Sequence, residues 1–222
     1  LHEMGKPIAA RVPVVQRQSY LSGIAFLAVL GGDPERAIPE TELAIEQLRA
    51  ANLPRLLLNP LHNLGDLRLR IEDFEAAAEA FREAIRLAAL YGQAHAIHLN
   101  RGFLGYTLAR LGDPDEGSAL LREARTGLME ASSASDHVSL QQLRLLDAEV
   151  AHWLGQSARA RRELEEMLAD FHSANEVALA HWAQDALARI ERELGHSFIT
   201  TVPPDEDPGS PEDDTVRTKP VT

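Results

Sequence analysis

Cysteine is absent from the 222 residues. Its absence removes disulfides, thiol nucleophiles and every zinc or iron–sulfur site built on thiolates. It also fits a reducing compartment. Lysine is nearly absent, with Lys6 and Lys219 the only two. Acids outnumber bases 34 to 22, giving a net charge of −12 and a pI of about 5.2. A surface of that sign repels phosphate backbones, so direct nucleic-acid binding is not expected. The densest basic cluster, Arg159, Arg161 and Arg162, is followed at once by Glu163, Glu165 and Glu166. That is the pattern of a solvated helix face with i,i+4 ion pairs. Long apolar runs are also missing. The longest, Ile24 to Leu30, is too short to span a bilayer. No basic-then-apolar leader opens the chain. The chain starts at Leu1 and reads as a segment of a longer protein, expected to be cytoplasmic with no membrane partner.

Aromatic residues are scarce at 5%. Ala, Leu, Arg and Glu dominate, and they lose little side-chain freedom in a helix. Hydrophobic residues make up 45% and mean hydropathy is −0.21, enough apolar surface for a core. The expected class is all-α.

The chain repeats itself. Ala44, Ala84 and Ala124 lie 40 residues apart, as do Ala25, Gly65 and Gly105, and Ala37, Ala77 and Gly117. A weaker copy runs through Ala148, Leu154-Gly155, Ala160 and Leu164, shifted by about three residues. Small residues at fixed positions allow helices to cross closely, with Leu64, Phe74 and Phe81 filling the space beside them. Each helix pair buries only part of its apolar face, so it needs neighbours stacked on it. Asp33-Pro34 and Asp113-Pro114 each place a capping carboxylate before a proline at the first helical position. Asp113 with Glu116 forms a capping-box pattern. Gly31-Gly32 and Gly112 sit where a preceding helix must stop. The spacing predicts helices over 14–30, 34–50, 55–70, 73–90, 94–111, 114–131, 137–154, 157–172 and 175–194.

Leu64-Gly65 in a first helix, then Phe74, Ala77, Phe81 and Ala84 in a second, resemble the tetratricopeptide repeat (TPR) family. The resemblance covers roughly residues 14–172. It implies an α-solenoid of about four helix hairpins, with 175–194 as a C-terminal capping helix. The period of about 40 exceeds the family norm of 34. Longer repeats of this kind are similar to those in sensor or scaffold regions of large bacterial signalling proteins. The expected organisation is a linker or repeat remnant at 1–13, a helical repeat domain at 14–196, and an acidic, proline-rich tail at 197–222. That tail carries too little apolar surface to order itself.

No catalytic constellation stands out, so no enzymatic activity and no cofactor are expected. His95 and His98 share a helix face, and Glu149 with His152 makes a single Glu-x-x-His. Carboxylate-bridged di-iron sites need two such motifs, and the His-Glu-x-x-His zinc spacing is missing. No metal site is expected. Gly102 and Gly105 lie inside a helix rather than in a phosphate-binding loop, and no Gly-x-Ser-x-Gly elbow occurs.

In the family resemblance, the first helix of each hairpin lines a concave groove that binds a protein or peptide partner. By helical spacing the outward faces of those helices carry Ser22, Phe26, Asn59, His62, Asp66, Arg70, Tyr106, Arg110, Glu149, His152 and Trp153. Arg70 and Arg110 lie one repeat apart, about 10 Å in a stacked array. Two guanidiniums at that separation suit an acidic peptide, because arginine pairs bidentately with carboxylates. A salt bridge to a neighbour such as Asp66 is the structural alternative. Tyr106 and Trp153 are candidate aromatic anchors, with packing between helices as the plainer role for Trp153 and Trp182. The lysines that clamp a chaperone tail in one branch of the family have no counterpart here. A small-ligand sensor is the alternative function, and self-association through an unpaired end repeat is a further expectation. In the tail, Thr215 follows Glu212, Asp213 and Asp214 and is a candidate phosphorylation site.

Overall fold

The computed structural model describes residue 23, residues 33–131 and residues 137–200, with side chains up to 195. Eight α-helices follow one another there: α1 Ile38–Ala50, α2 Leu58–Arg70, α3 Phe74–Leu90, α4 Ala94–Arg110, α5 Pro114–Ala131, α6 His137–Trp153, α7 Ser157–Ser173 and α8 Val177–Thr200. No strand occurs among the described residues. Each helix packs antiparallel on the next, and α2, α4, α6 and α8 also pack side by side as an inner row. The predicted helices match in number and place from 34 onward. The helix predicted over 14–30, with Ile24, Ala25, Gly31 and Gly32, lies outside the described residues apart from helical Gly23. So do residues 201–222, including Thr215, and the 1–13 segment.

The first two helices start later than their spacing suggests. Pro34–Ala37 and Pro54–Leu57 form 3-10 turns ahead of α1 and α2. Pro39 and Pro60 explain this. Proline has no N–H to give the carbonyl four residues back, and its ring crowds that carbonyl. Glu35 O instead accepts from Ile38 N, the tighter bond of a 3-10 turn. Asp33, expected to cap like Asp113, makes no capping hydrogen bond. Asp113 Oδ1 does cap α5, accepting from Glu116 N at 3.0 Å. Asp73 caps α3 through Ala76 N. At the other end, α8 runs to Thr200, past the predicted 194.

One turn type follows six of the described helices. Asn52, Glu72, Gly92, Gly112, Gly155 and Asn175 all have positive φ. At each, the residue's own N–H bonds three residues back and the next N–H bonds five back, as in Asn52 N to Arg49 O and Leu53 N to Leu48 O. That pair of bonds closes the helix C-terminus. The positions 52, 72, 92 and 112 are evenly spaced, so one helix with its turn occupies twenty residues and a hairpin occupies forty. The three-residue shift in the later copy falls between Gly112 and Gly155, where α5 has 18 residues against 17 in α4 and α6.

The small residues do what their period implies. A Cβ on Gly105 would stand 2.7 Å from Gly117 O, and one on Gly117 would strike Gly105 O in return. The α4 and α5 backbones therefore touch directly. A Cβ on Gly65 would enter the ring of Phe81. Around this seam Phe81, Phe103, Leu121, Leu128, Leu143, Leu146 and Val150 form the central core. A second core joins α6, α7 and α8 through Leu145, Leu164, Met167, Phe171, Ala183 and Ile190.

Candidate functional site

The C-terminal halves of α2, α4 and α6 and the middle of α8 converge on the concave side. They enclose a cleft of about 310 Å³ lined by Asp66, Leu69, Arg70, Glu72, Phe74, Tyr106, Arg110, Leu146, His181, Trp182, Asp185 and Arg189, among others. Residues one repeat apart reach it at matching heights, as the period requires: Arg70 and Arg110 end α2 and α4, with Asp66 and Tyr106 one turn earlier.

Both predicted arginines point into this cleft, and both already hold a carboxylate. Arg70 Nε donates to Asp66 Oδ2 at 3.2 Å, the intrahelical pairing named as the alternative. Its guanidinium lies 5.6 Å from the Trp182 ring centroid. Arg110 Nη2 donates to Glu72 Oε1 at 3.2 Å. Its guanidinium sits near two rings, 4.7 Å from Phe74 and 5.2 Å from Trp153. Each pairing uses one of five N–H donors and leaves the edge of a stacked guanidinium facing the cleft. Cleft cations Arg70, Arg110 and Arg189 are matched by Asp66, Glu72 and Asp185. The walls are therefore of mixed charge rather than positive.

Glu149 does not face outward as its spacing predicts. It is 2% exposed and pairs with Arg189 of α8 through both oxygens at 2.9–3.0 Å. The Tyr106 hydroxyl donates to its Oε2 at 3.2 Å. Burial, then the adjacent carboxylate, push the phenol well above its usual range, so Tyr106 acts here as a donor. A buried carboxylate needs such partners, because an unpaired charge there is costly. His152 is likewise engaged, with Nε2 3.0 Å from Glu193 Oε2 and Nδ1 2.8 Å from Ser157 Oγ. Trp153 donates from Nε1 to the same Glu193 oxygen and stacks obliquely on Tyr106.

Lower on the face, His62 is tucked between Phe81 and Phe103 and bonds through Nδ1 to Asn100 Oδ1 at 3.1 Å. Burial holds its pKa below the usual imidazole value. It is half-buried, with its ring set against the core aromatics of the neighbouring helices. Asn59 is exposed near the start of α2. Ser22 and Phe26 lie outside the described residues. His95 bonds Ser139 of α6, and the His98 ring lies against Gly127. Among the described residues, no three His, Asp or Glu side chains group as metal ligands would. No described helix is long and apolar enough to cross a membrane.

The sequence reading missed the contribution of α8. Trp182, Asp185 and Arg189 line the cleft, yet α8 was read only as a cap. Its signal was present in two stripes. Leu179, Ala183, Ala186 and Ile190 form the stripe facing the second core. Trp182, Arg189 and Glu193 form a polar-aromatic stripe beside it, at i, i+7 and i+11.

The tetratricopeptide repeat family model matches residues 58–89, which are α2 and α3. No curated protein matches the chain. Among solved structures, a kinesin light chain-like protein of Podosopora anserina with nearly identical TPR-like repeats is similar. It shares 16% identity over 83% of this chain and 90% of its own, with a TM-score of 0.54. BtubC (BKLC) from P. vanneervenii shares 17% identity over 98% of this chain and 94% of its own, also at 0.54. At these identities the likeness is one of fold. Residues 58–89 thus form a tetratricopeptide repeat, and the chain folds as an α-solenoid similar to those of TPR-like repeat proteins.

Proposed function

We propose that the chain is a protein–protein interaction scaffold that holds a peptide or protein segment on the concave face of α2, α4, α6 and α8. Repeats of this family generally mediate protein–protein interaction, and their fold is typically a non-enzymatic scaffold. The observation that carries the reading is the cleft. It brings two stacked guanidiniums, Arg70 and Arg110, together with Tyr106 and Trp182 in one concavity. Arginine and large aromatic residues are the side chains that dominate binding energy at interfaces. Within this reading, residues 14–196 are the working domain, the arm of a larger bacterial cytoplasmic signalling or regulatory protein. The 40-residue period supports that placement.

An affinity capture from native lysate, comparing wild type with an Arg70→Ala/Arg110→Ala double variant, tests the reading. A partner held by wild type and lost with the variant is the expected result. A partner held equally by both would move the site off this cleft.

A small-ligand sensor is the second reading, favoured by the cleft's size. About 310 Å³ sits at the lower end of small-molecule sites, which run from about 300 to 1,000 Å³. A thermal shift against a metabolite panel separates the two, since a bound ligand stabilises the folded state by mass action. No stabilisation at saturating concentrations would leave the scaffold alone.

A further inference from the structure

The outer side of the array carries a second concavity, of about 640 Å³. It is a trough between the outer helices α1 and α3, with α2 beneath them. Ile45, Leu61, Leu64, Ala76 and Ala80 form its floor, and of these Leu64 and Ala76 are only half-buried. Two arginine clamps tie the walls together. Arg68 of α2 holds Glu42 of α1 and Asp73 at the start of α3. Arg49 of α1 meets both carboxylate oxygens of Glu83 of α3 at 2.7 Å. The clamps fix the register of the walls, setting residues 42–49 of α1 beside residues 73–83 of α3.

The charges that the clamps leave over are sorted along the trough. Glu46 and Glu79 fall between the two clamps, one on each wall. Arg82 and Arg86 stand at the Arg49 clamp and past it, with Arg86 about 10 Å along the helix axis from Glu79. All four side chains are exposed, and none has an ion-pair partner among the described residues. The spacing within each wall is also unusual. Glu42 with Glu46, Glu79 with Glu83, and Arg82 with Arg86 are like-charge pairs four residues apart, an arrangement that costs helix stability. The outer face of α7 does the opposite, pairing Arg159 with Glu163 and Arg161 with Glu165.

We propose that this trough is a second docking surface, and that its occupant is an amphipathic helix of a partner protein with its acids and its bases gathered at opposite ends. Each feature of the occupant follows from the walls. Walls and floor are helices whose backbone groups are bonded within them, so the trough offers no ladder of N–H and C=O groups to an extended segment. A helix satisfies its own backbone and strands no polar group over the apolar floor. Its acids lie against Arg82 and Arg86, its bases against Glu46 and Glu79, and its apolar stripe on Leu64 and Ala76. The clamps hold the walls in register before anything binds, so little ordering is left to binding. The surface lies apart from the cleft, and the array can hold one partner on each side.

The probe is a fluorescein-labelled synthetic amphipathic helix of about four turns. It has one leucine stripe, glutamates in its first half and lysines in its second. A control peptide keeps the composition and the stripe but alternates glutamate with lysine. Anisotropy with the full chain should show the segregated peptide binding about ten-fold more tightly, the scale of a few exposed ion pairs. Arg82→Gln/Arg86→Gln should remove that preference, and so should Glu46→Gln/Glu79→Gln. Arg70→Ala/Arg110→Ala should leave it unchanged, which separates this surface from the cleft. Equal binding of the two peptides by wild type overturns the proposal. So does a preference that survives both glutamine pairs, or one that Arg70→Ala/Arg110→Ala abolishes. Should a glutamine pair disturb the fold, photo-cross-linking of the segregated peptide to wild type decides. Attachment to α1 and α3 supports the proposal, and attachment elsewhere overturns it.

Discussion

Arg70 and Trp182 meet across the concave face, guanidinium to ring at 5.6 Å, although α4 and α6 lie between their helices in the inner row. A straight row of inner helices, at about 10 Å per step, would hold α2 and α8 about 30 Å apart. The row therefore curls until side chains from α2 and α8 meet, and the groove narrows to a cleft. A double-mutant cycle with Arg70→Ala and Trp182→Ala should give a coupling of about 0.5–1 kcal/mol in urea denaturation, the range for a part-exposed cation–π contact. Coupling within error of zero would mean that the two ends merely lie near each other.

The α4–α5 seam predicts a sharper effect. Gly105→Leu places a side chain where Gly117 O and the backbone of Leu121 already stand. Backbone cannot swing aside as a flexible side chain can. The loss should be about 2–4 kcal/mol. Because repeats couple mainly to neighbours, hydrogen exchange should rise first in α4 and α5 and only later in α7 and α8. A uniform rise across all helices would contradict this.

Stability should fall on mild acidification. His62 and His98 both have pKa values lowered by burial, His98 also by Arg101. The folded state therefore binds fewer protons than the unfolded state once pH drops below the ordinary imidazole value of about 6.5. By linkage, stability rises with pH wherever the unfolded state holds more protons. It is thus intact above about pH 6.5 and declines as pH falls toward the depressed folded values. Thermal melts at pH 7.5 and 5.5 should show the decline, and a His62→Gln/His98→Gln variant should flatten it. An unchanged slope in the variant would assign the acid sensitivity to other groups.

Glu72 offers a gain. It occupies the positive-φ position of its turn, at φ 61°, where the equivalent turns use Asn or Gly. That conformation strains a side-chain-bearing residue. Glu72→Gly should stabilise by about 0.5–1 kcal/mol, less the small worth of an exposed bridge to Arg110. A loss on denaturation would show that the Arg110 bridge outweighs the strain. The same change frees Arg110 of its only carboxylate partner among the described residues, so any carboxylate ligand of the cleft should bind more tightly.

The helices and their packing were legible because they depend on local chemistry. Asp113 and Gly112 state their roles within a turn of chain, and Gly65 and Phe81 meet within a single hairpin. The 3-10 starts at Pro34 and Pro54 were legible in principle, from Pro39 and Pro60 acting on carbonyls four residues back. The site was only half legible. Arg70, Tyr106 and Arg110 reach the cleft as spacing predicts. The burial of Glu149 depends on Arg189, 40 residues further along, and on how far the row curls. Curvature accumulates from small rotations between hairpins, and no single residue encodes it. Asp66 was legible as a partner for Arg70, four residues along the same helix, but Glu72 reaches Arg110 from the preceding repeat, and that pairing depends on how the hairpins stack.

The even twenty-residue step has a consequence for how this chain can change length. A helix advances about 100° per residue. Deleting one residue inside any helix would therefore turn everything downstream away from everything upstream, and the inner row would lose its line. Removing or duplicating a whole forty-residue unit would instead leave every remaining side chain on its face and alter only how far the row curls. The three additional residues between Gly112 and Gly155 accord with this rule, since α5 is 18 residues long against 17 in α4 and α6 and so takes up at most one of them, at its end. Length is thus tolerated at the joints and refused in the rods, and the reach of the cleft is set by the number of units, not by the size of any one.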